Sequence, residues 1–325
     1  MILVTGATGF LGATLVRQLV ERGEPVRILR RPTSALDLLG PAAREVEHAE
    51  GNVTDRAAVR EALRDCDAVV HAAAFVGFGG ESDRERLFEV NVGGTAAVMD
   101  GARLEGVRRA VHVSSIAALG RSENPQHPID ERAVWTPSKA NTRYAESKRE
   151  AELEVQRAIA EGLDATIGNP ALIFGPGRPG ENTMQIAEQV RDRKLPAAPS
   201  GGTCVVDVAD VAAGLIRLLE NGKTGERHIL GGQNLRWTEI LGTLADAFGV
   251  APPKRTVGPK TALALATLSE AAAFVTRKRP LLTRETARTA GRFYRYSNRK
   301  AVEEIGCTFR PFRETAARIA SVLDG

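Results

Sequence analysis

Aromatic residues make up only 5% of this 325-residue sequence, and cysteine occurs three times, at Cys66, Cys204 and Cys307. The cysteines are scattered, with no CxxC spacing and no even framework. That argues against a disulfide scaffold and against a metal site, and it fits a reducing cytosol. No apolar run approaches the roughly 18 residues that a membrane span needs. The first run, from Ile2, is broken at Gly6, so no signal peptide is expected ahead of the fold. These absences predict a soluble, cytoplasmic protein with no bound metal and no stable membrane insertion. Charge is present but unevenly placed. The net charge is +4, with twelve Lys/Arg against four Glu between Arg277 and Arg318. An anionic ligand, a nucleic acid or a membrane surface uses such asymmetry, and so does a plain solvated face. Nucleic acid is not expected, because the stretch lacks interleaved aromatics beyond Phe293, Tyr294 and Tyr296.

With 43% hydrophobic and 26% charged residues the chain has the composition of an ordinary globular protein. Short apolar runs alternate with helical patterns through its first half. Strands are predicted at Ile2–Val4, Val26–Leu29, Ala68–Ala72, Ala110–Ser114 and Ala165–Ile173, and helices after Leu11 and at Ala57–Leu63, Leu87–Leu104 and Asn141–Ala160. This alternation implies an α/β fold, a doubly wound parallel sheet of Rossmann type, whose ligands sit at the carboxyl ends of the strands. After Asn169-Pro170 the texture changes, with Pro176, Pro179, Pro196 and Pro199 among several glycines. Residues 1–168 are therefore read as the dinucleotide-binding domain. Residues 169–325 are read as a smaller substrate-binding lobe, with 203–232 returning to the first domain and helices at Asp207–Leu219 and Thr238–Phe248.

The segment Thr5-Gly6-Ala7-Thr8-Gly9-Phe10-Leu11-Gly12 spaces its glycines by three between the first strand and first helix. Gly6 permits a tight turn, Gly9 lets backbone approach a pyrophosphate, and Gly12 lets the helix pack on the strand. The free N–H groups of the helix start favour a phosphate there. An enzyme that prefers NAD ends the second strand with an acid on the ribose 2′-hydroxyl. Here the strand ends Leu29-Arg30-Arg31. Two arginines facing water is the plain alternative; a clamp on a 2′-phosphate is the functional one. NADP(H) is thus expected ahead of NAD(H).

Tyr144 and Lys148 stand four residues apart, on one helix face. A free tyrosine has a pKa of about 10, and a nearby ammonium favours its phenolate. A YxxxK spacing alone is usually structural. This one follows, by about thirty residues, a strand ending Val113-Ser114-Ser115 at the carboxyl edge of the sheet. Strand alternation turns Ser114 to the other side, so Ser115 is expected to hold a substrate oxygen while Tyr144 exchanges a proton.

With these residues in hand, the chain resembles the extended short-chain dehydrogenase/reductase superfamily along nearly its whole length. The matching segments are TGATGFLG (5–12), HAAA (71–74), NVGGT (91–95), VSSIAALG (113–120), YAESK (144–148) and NPALIFGPG (169–177), with Tyr296–Phe312 similar to its closing motif. Within it, DVADVAAGLIRLLENGKTGERHILGG (207–232) is most similar to the dihydroflavonol-reductase-like branch, which includes proteins labelled hopanoid-associated sugar epimerase. The resemblance implies catalytic Ser115, Tyr144 and Lys148. For the cofactor it implies contacts from Gly6, Thr8, Gly9, Phe10, Leu11 and Gly12, from Arg30 and Arg31, and from Asn52 and Val53 at the adenine. Ala72, Ala73 and Ala74 would line it, and Pro170 and Ile173 would meet its nicotinamide end. Asn91 would shape the core beside the site. The family usually has Asp at Asn52, so a weakened contact is expected there. Sugar-nucleotide dehydratases of the superfamily carry an acid pair where this chain has Ile116-Ala117. Sugar-nucleotide epimerases carry an arginine where it has Thr203-Cys204-Val205-Val206. Both departures point towards a reductase.

Phe75, Phe78, Ser115 and Asn169 are the expected substrate-facing residues, although a packed loop accounts equally for the two phenylalanines. Thr261–Val275, rich in Ala and Leu and followed by Arg277-Lys278-Arg279, suits a lid or a surface helix less well than ordinary packing. The leading expectation is reduction of a ketone or aldehyde on a hydrophobic small molecule, or the reverse. An NAD-dependent sugar epimerase is the alternative within the family. A non-catalytic dinucleotide sensor is the alternative outside it, although such proteins commonly lose the Tyr or Lys retained here. Long helices near 87–104 and 141–160 often pair in similar proteins, so a homodimer is expected.

Overall fold

The computed structural model describes residues 1–77, 81–121, 127–138, 141–264, 266–267, 287 and 289–324. Its first half runs β1 (Ile2–Thr5), α1 (Phe10–Glu21), β2 (Val26–Arg30), β3 (Glu47–Glu50), α2 (Arg56–Leu63), β4 (Ala68–His71), α3 (Glu81–Phe88), α4 (Gly94–Leu104), β5 (Arg109–Val113), α5 (Arg143–Ala160) and β6 (Ala165–Pro170). The second half runs β7 (Leu172–Phe174), α6 (Asn182–Arg191), β8 (Ala198–Pro199), β9 (Gly202–Asp207), α7 (Val208–Asn221), β10 (Arg227–Leu230), β11 (Gln233–Arg236), α8 (Trp237–Ala247) and β12 (Thr256–Val257). The described residues close with α9 (Arg299–Ile305) and α10 (Phe312–Leu323).

The apolar runs form the central strands because a parallel sheet is covered on both faces and rewards uninterrupted Val, Ile and Leu. Seven parallel strands lie in the order β3-β2-β1-β4-β5-β6-β10. The chain winds one way from β1 to β3 and the other way from β4, so the β1–β4 boundary is the switch point where a ligand crevice opens. One apolar cluster, around Leu15, Val16, Val111 and Leu215, covers one face. A second, around Leu63, Val98, Met99 and Val155, covers the other.

Three details differ from the pattern read in the sequence. The run Ala165–Ile173 is two strands: β6 ends at Pro170, and β7 leaves to pair with β9 in a second sheet of order β11-β9-β7. The helix read at Leu87–Leu104 is wound as a π-turn over Glu89–Gly93, between α3 and α4. β3, with sequence EHAE, carries no apolar alternation; it is an edge strand with one neighbour, largely exposed. α7 packs on α1 and β10 joins the large sheet, so residues 208–230 stand with the first half of the chain. A third apolar cluster, with Phe174, Met184, Leu244 and Phe312, holds the second sheet to α6, α8 and α10. Among the described residues no helix is long and apolar enough to cross a membrane. The greater part of Thr261–Val275, and all of Arg277-Lys278-Arg279, lie outside the described residues.

Candidate active site

The turn after β1 is made by backbone alone. Gly6 adopts φ +70°, and a Cβ there would come within 2.6 Å of the Ala72 backbone. A Cβ on Gly12 would lie 2.1 Å from the Gly6 carbonyl oxygen, so the helix start packs directly on the turn. The Gly9 amide closes that turn on the Gly6 carbonyl at 3.0 Å. α1 starts with no capping side chain and no acid in its first turn. By contrast, Asp55, Thr142 and Asp207 cap α2, α5 and α7. The first N–H groups of α1 are thus left for an anion, which suits a dinucleotide's pyrophosphate. Ala72 and Ala73 run beside this turn: the Ala72 amide meets the Thr5 carbonyl at 3.2 Å, and the Ala73 amide meets Thr5 Oγ1 at 3.3 Å.

At the end of β2 the two arginines part company. Arg30 is engaged: its guanidinium reaches Glu50 at 2.7 Å and His48 Nδ1 at 2.9 Å. Arg31 is exposed. Asn52 lies in the turn after β3, where its Oδ1 accepts from the Thr54 amide, and Val53 is buried against Gly94. Arg178, from the loop after β7, crosses to this rim. Its guanidinium forks onto Asp37 at 2.7–3.0 Å and also meets the Thr8 and Ala35 carbonyls at 3.3 Å. That pairing holds the Asp37 carboxyl below its ordinary range.

At the other end, α5 lies across β5 and presents Tyr144, Lys148 and Glu152 at four-residue steps. The Tyr144 phenol lies beside the Ser115 hydroxyl, which opposes a rise in its pKa; burial wins and pushes that pKa up, so the phenol holds its proton at neutrality. Ser115 caps a short turn, its Oγ accepting from the Ala117 amide at 3.2 Å. Lys148 is 2% exposed and donates to the Val113 carbonyl at 2.7 Å. Burial brings its pKa down to about 8, while Glu152 opposes the fall. The Ser114 hydroxyl donates to Glu152, on the same α5 face that carries Tyr144 and Lys148, at 2.5 Å. Asn91, at the π-turn, clasps the Phe75 backbone at 2.7 and 3.0 Å and donates to Ser147, whose hydroxyl in turn meets the Tyr144 carbonyl. A π-turn placed there aims this amide at the start of α5.

Asn169, expected against a substrate, is fully buried and donates its amide to the Ser115 carbonyl at 3.0 Å and to Glu152 at 2.6 Å. Only its Oδ1 lacks a partner. A buried acceptor left open beside Ser115 suits a ligand that brings an N–H or O–H. Pro170 is buried at the end of β6, and half-buried Ile173 follows on β7. Phe75 is half-buried, its ring under the Arg86 guanidinium at 4.5 Å, and Ala74 is exposed. Phe78 lies outside the described residues. The motifs do not single out Glu152, Arg178 or Arg227. Glu152 had a signal: it is the third residue of the face that Tyr144 and Lys148 occupy.

Residues 2–231 match the model of the NAD dependent epimerase/dehydratase family. Over 271 residues the chain is 38% identical to a Methylococcus capsulatus protein named sterol demethylase protein B, covering 82% of this chain and 80% of that one. It is 33% identical over 309 residues to a Synechocystis protein named putative dihydroflavonol 4-reductase, covering 93% and 88% respectively. A solved structure, that of gox2253, superposes with a TM-score of 0.85 at 33% identity, covering 100% of this chain and 98% of that one.

Proposed function

The chain belongs to the NAD-dependent epimerase/dehydratase family of extended short-chain dehydrogenases/reductases, and from that premise we propose a specific role. It is an NADP(H)-dependent oxidoreductase that reduces a ketone or aldehyde of a hydrophobic small molecule, or oxidises the corresponding alcohol. The observation that carries this reading is the buried Lys148 anchored on the Val113 carbonyl, one helical turn from a Tyr144 phenol that lies beside the Ser115 hydroxyl. The Gly6–Gly12 turn fits a pyrophosphate, the Asn169 acceptor fits a donor at the other end, and Arg31 is the exposed cation for a 2′-phosphate. When bound, the dinucleotide supplies or takes up the hydride.

The chain's own groups manage the oxygen. Tyr144, protonated at rest, delivers its proton to the carbonyl oxygen, and Ser115 donates a hydrogen bond to the same atom. Lys148, as a cation, stabilises the phenolate left behind. Asn91 holds the Phe75 segment and the first turn of α5 in place around them. A hydrophobic substrate accords with relatives named for a dihydroflavonol and a sterol, and with Phe75 beside the site. A homodimer through α4 and α5 accords with Leu104 and Leu153, 57% and 48% exposed; sedimentation at micromolar concentration checks it.

The test is a turnover screen of aliphatic, aromatic and thioester-linked carbonyls, with NADPH and NADH side by side. Turnover preferring NADPH, lost in Tyr144→Phe, is the expected result. A family member that epimerises sugars with tightly held NAD would instead release NAD on denaturation and turn over none of these carbonyls, which would sink the proposal.

A further inference from the structure

We propose that Glu152 is the positioning residue of the relay: a buried carboxylate that keeps Lys148 cationic and fixes the strand end bearing Ser115. It does so without touching substrate. The inference rests on the reading of Tyr144, Lys148 and Ser115 given above.

Glu152 is 1% exposed and gathers four elements. From α5 its Oε1 receives the Ser114 hydroxyl at 2.5 Å and the Asn169 amide at 2.6 Å. Its Oε2 lies 3.3 Å from the Arg227 guanidinium on β10. Asn169 spends the same amide group on the Ser115 carbonyl, so the carboxylate sets the backbone on both sides of the β5 end. Arg227 is braced by the Glu131 carbonyl at 2.7 Å. Glu131 itself is turned to the Ile229 amide at 2.8 Å.

Hydrogen bonding alone does not require an acid at this position. A glutamine oxygen would accept from Ser114 and Asn169 equally well, at a lower desolvation cost than a buried carboxylate. What an amide cannot supply is charge. The groups around Lys148 are Tyr144 and Glu152 on α5, His71 on β4, His112 on β5 and, beyond Glu152, Arg227 on β10. Burial holds both histidines neutral, His71 down at about 3 and His112 well below its ordinary value. Glu152 is the one anion of the set. Lys148 has exchanged its water for a single carbonyl, so a cation there depends on that neighbour.

The experiment follows the side-chain carbon resonance of Lys148 through a pH titration of the full chain, labelled at lysine. The sequence has eight lysines, and Lys148→Met assigns the signal. The expected wild-type midpoint is about 8. In Glu152→Gln it falls by about one pH unit or more, whereas Glu152→Asp keeps most of the wild-type value. Arg227→Gln removes the cation that shares Glu152 and moves the midpoint upwards, which keeps the test decisive if Glu152→Gln fails to fold. The alkaline limb of kcat/KM, measured with NADPH and a carbonyl from the screen, shifts with each midpoint. An unmoved midpoint in Glu152→Gln, or shifts of one sign in Glu152→Gln and Arg227→Gln, overturns the inference. Full turnover in Tyr144→Phe overturns the underlying reading instead, so the two failures are told apart.

Discussion

The two ends of one sheet edge are built from different materials. At the β1–β3 end, backbone makes the surface: glycines without room for a Cβ, an uncapped helix start, and arginines pairing with acids in or near water. At the β5–β6–β10 end, side chains make it: Lys148, Glu152 and Asn169 are withdrawn from solvent and bonded to one another or to strand carbonyls. A backbone surface recognises a shape and tolerates many neighbours. A buried charged cluster fixes protonation states, and each member depends on the rest. Substitutions at the first end should therefore act on affinity, and at the second on rate and pH dependence.

The sharpest break of that contrast is Tyr144→Phe. It should cost about 10³-fold in kcat while the NADPH dissociation constant, read by nucleotide fluorescence, stays within about twofold. A matching loss of affinity would mean that the two ends are not separable. Next comes Gly12→Ala, whose Cβ would meet the Gly6 carbonyl. NADPH affinity should fall by about 100-fold, with about 1–3 kcal/mol lost in urea unfolding. Arg31→Ala should weaken NADPH by about tenfold and leave NADH unchanged, whereas Arg30→Ala should weaken both alike, because Arg30 secures Glu50 and His48. Equal NADPH selectivity losses in both variants would overturn the division between them.

The smallest effect is one of pH on stability. His71 and His228, both buried in strands, are held at about 3 and about 4 by desolvation. The unfolded chain takes up protons near pH 6.5, before the folded one does, so unfolding is favoured as pH falls. The contribution of these two residues is complete above about pH 6.5 and is lost progressively on acidification towards their folded values. Urea unfolding of His71→Gln beside the parent, between pH 7 and pH 4.5, should give a shallower decline for the variant.

The strands at β1, β2, β4, β5 and β6 were legible because a two-sided core selects apolar runs, and the tight turn after β1 because Gly6 and Gly12 admit no side chain. β3 was not, because an edge strand in water needs no apolar pattern. The break at Ala171 was hidden for the opposite reason: strand-like residues continue across it, and only the second sheet gives them a new partner. Asn169 reads in sequence as a polar residue at a strand end, hence substrate-facing. Its amide is instead bound to Glu152, whose own position looks like an exposed helix carboxylate until Tyr144 and Lys148 define that face as buried. Arg178 meets Asp37 across 141 residues of sequence, a separation that no local pattern reports.

The last strand of the large sheet has a consequence for synthesis of the chain. β6 is complete at Pro170, yet its outer neighbour β10 begins only at Arg227, after the chain has built α6, β9 and α7. Until then the β6 backbone is an unpaired edge of buried, apolar composition, the kind that recruits another chain. A nascent or truncated product ending between 171 and 226 should be more prone to aggregate through this edge than one reaching past Leu230. Light scattering of a truncation series refolded from urea would locate that threshold.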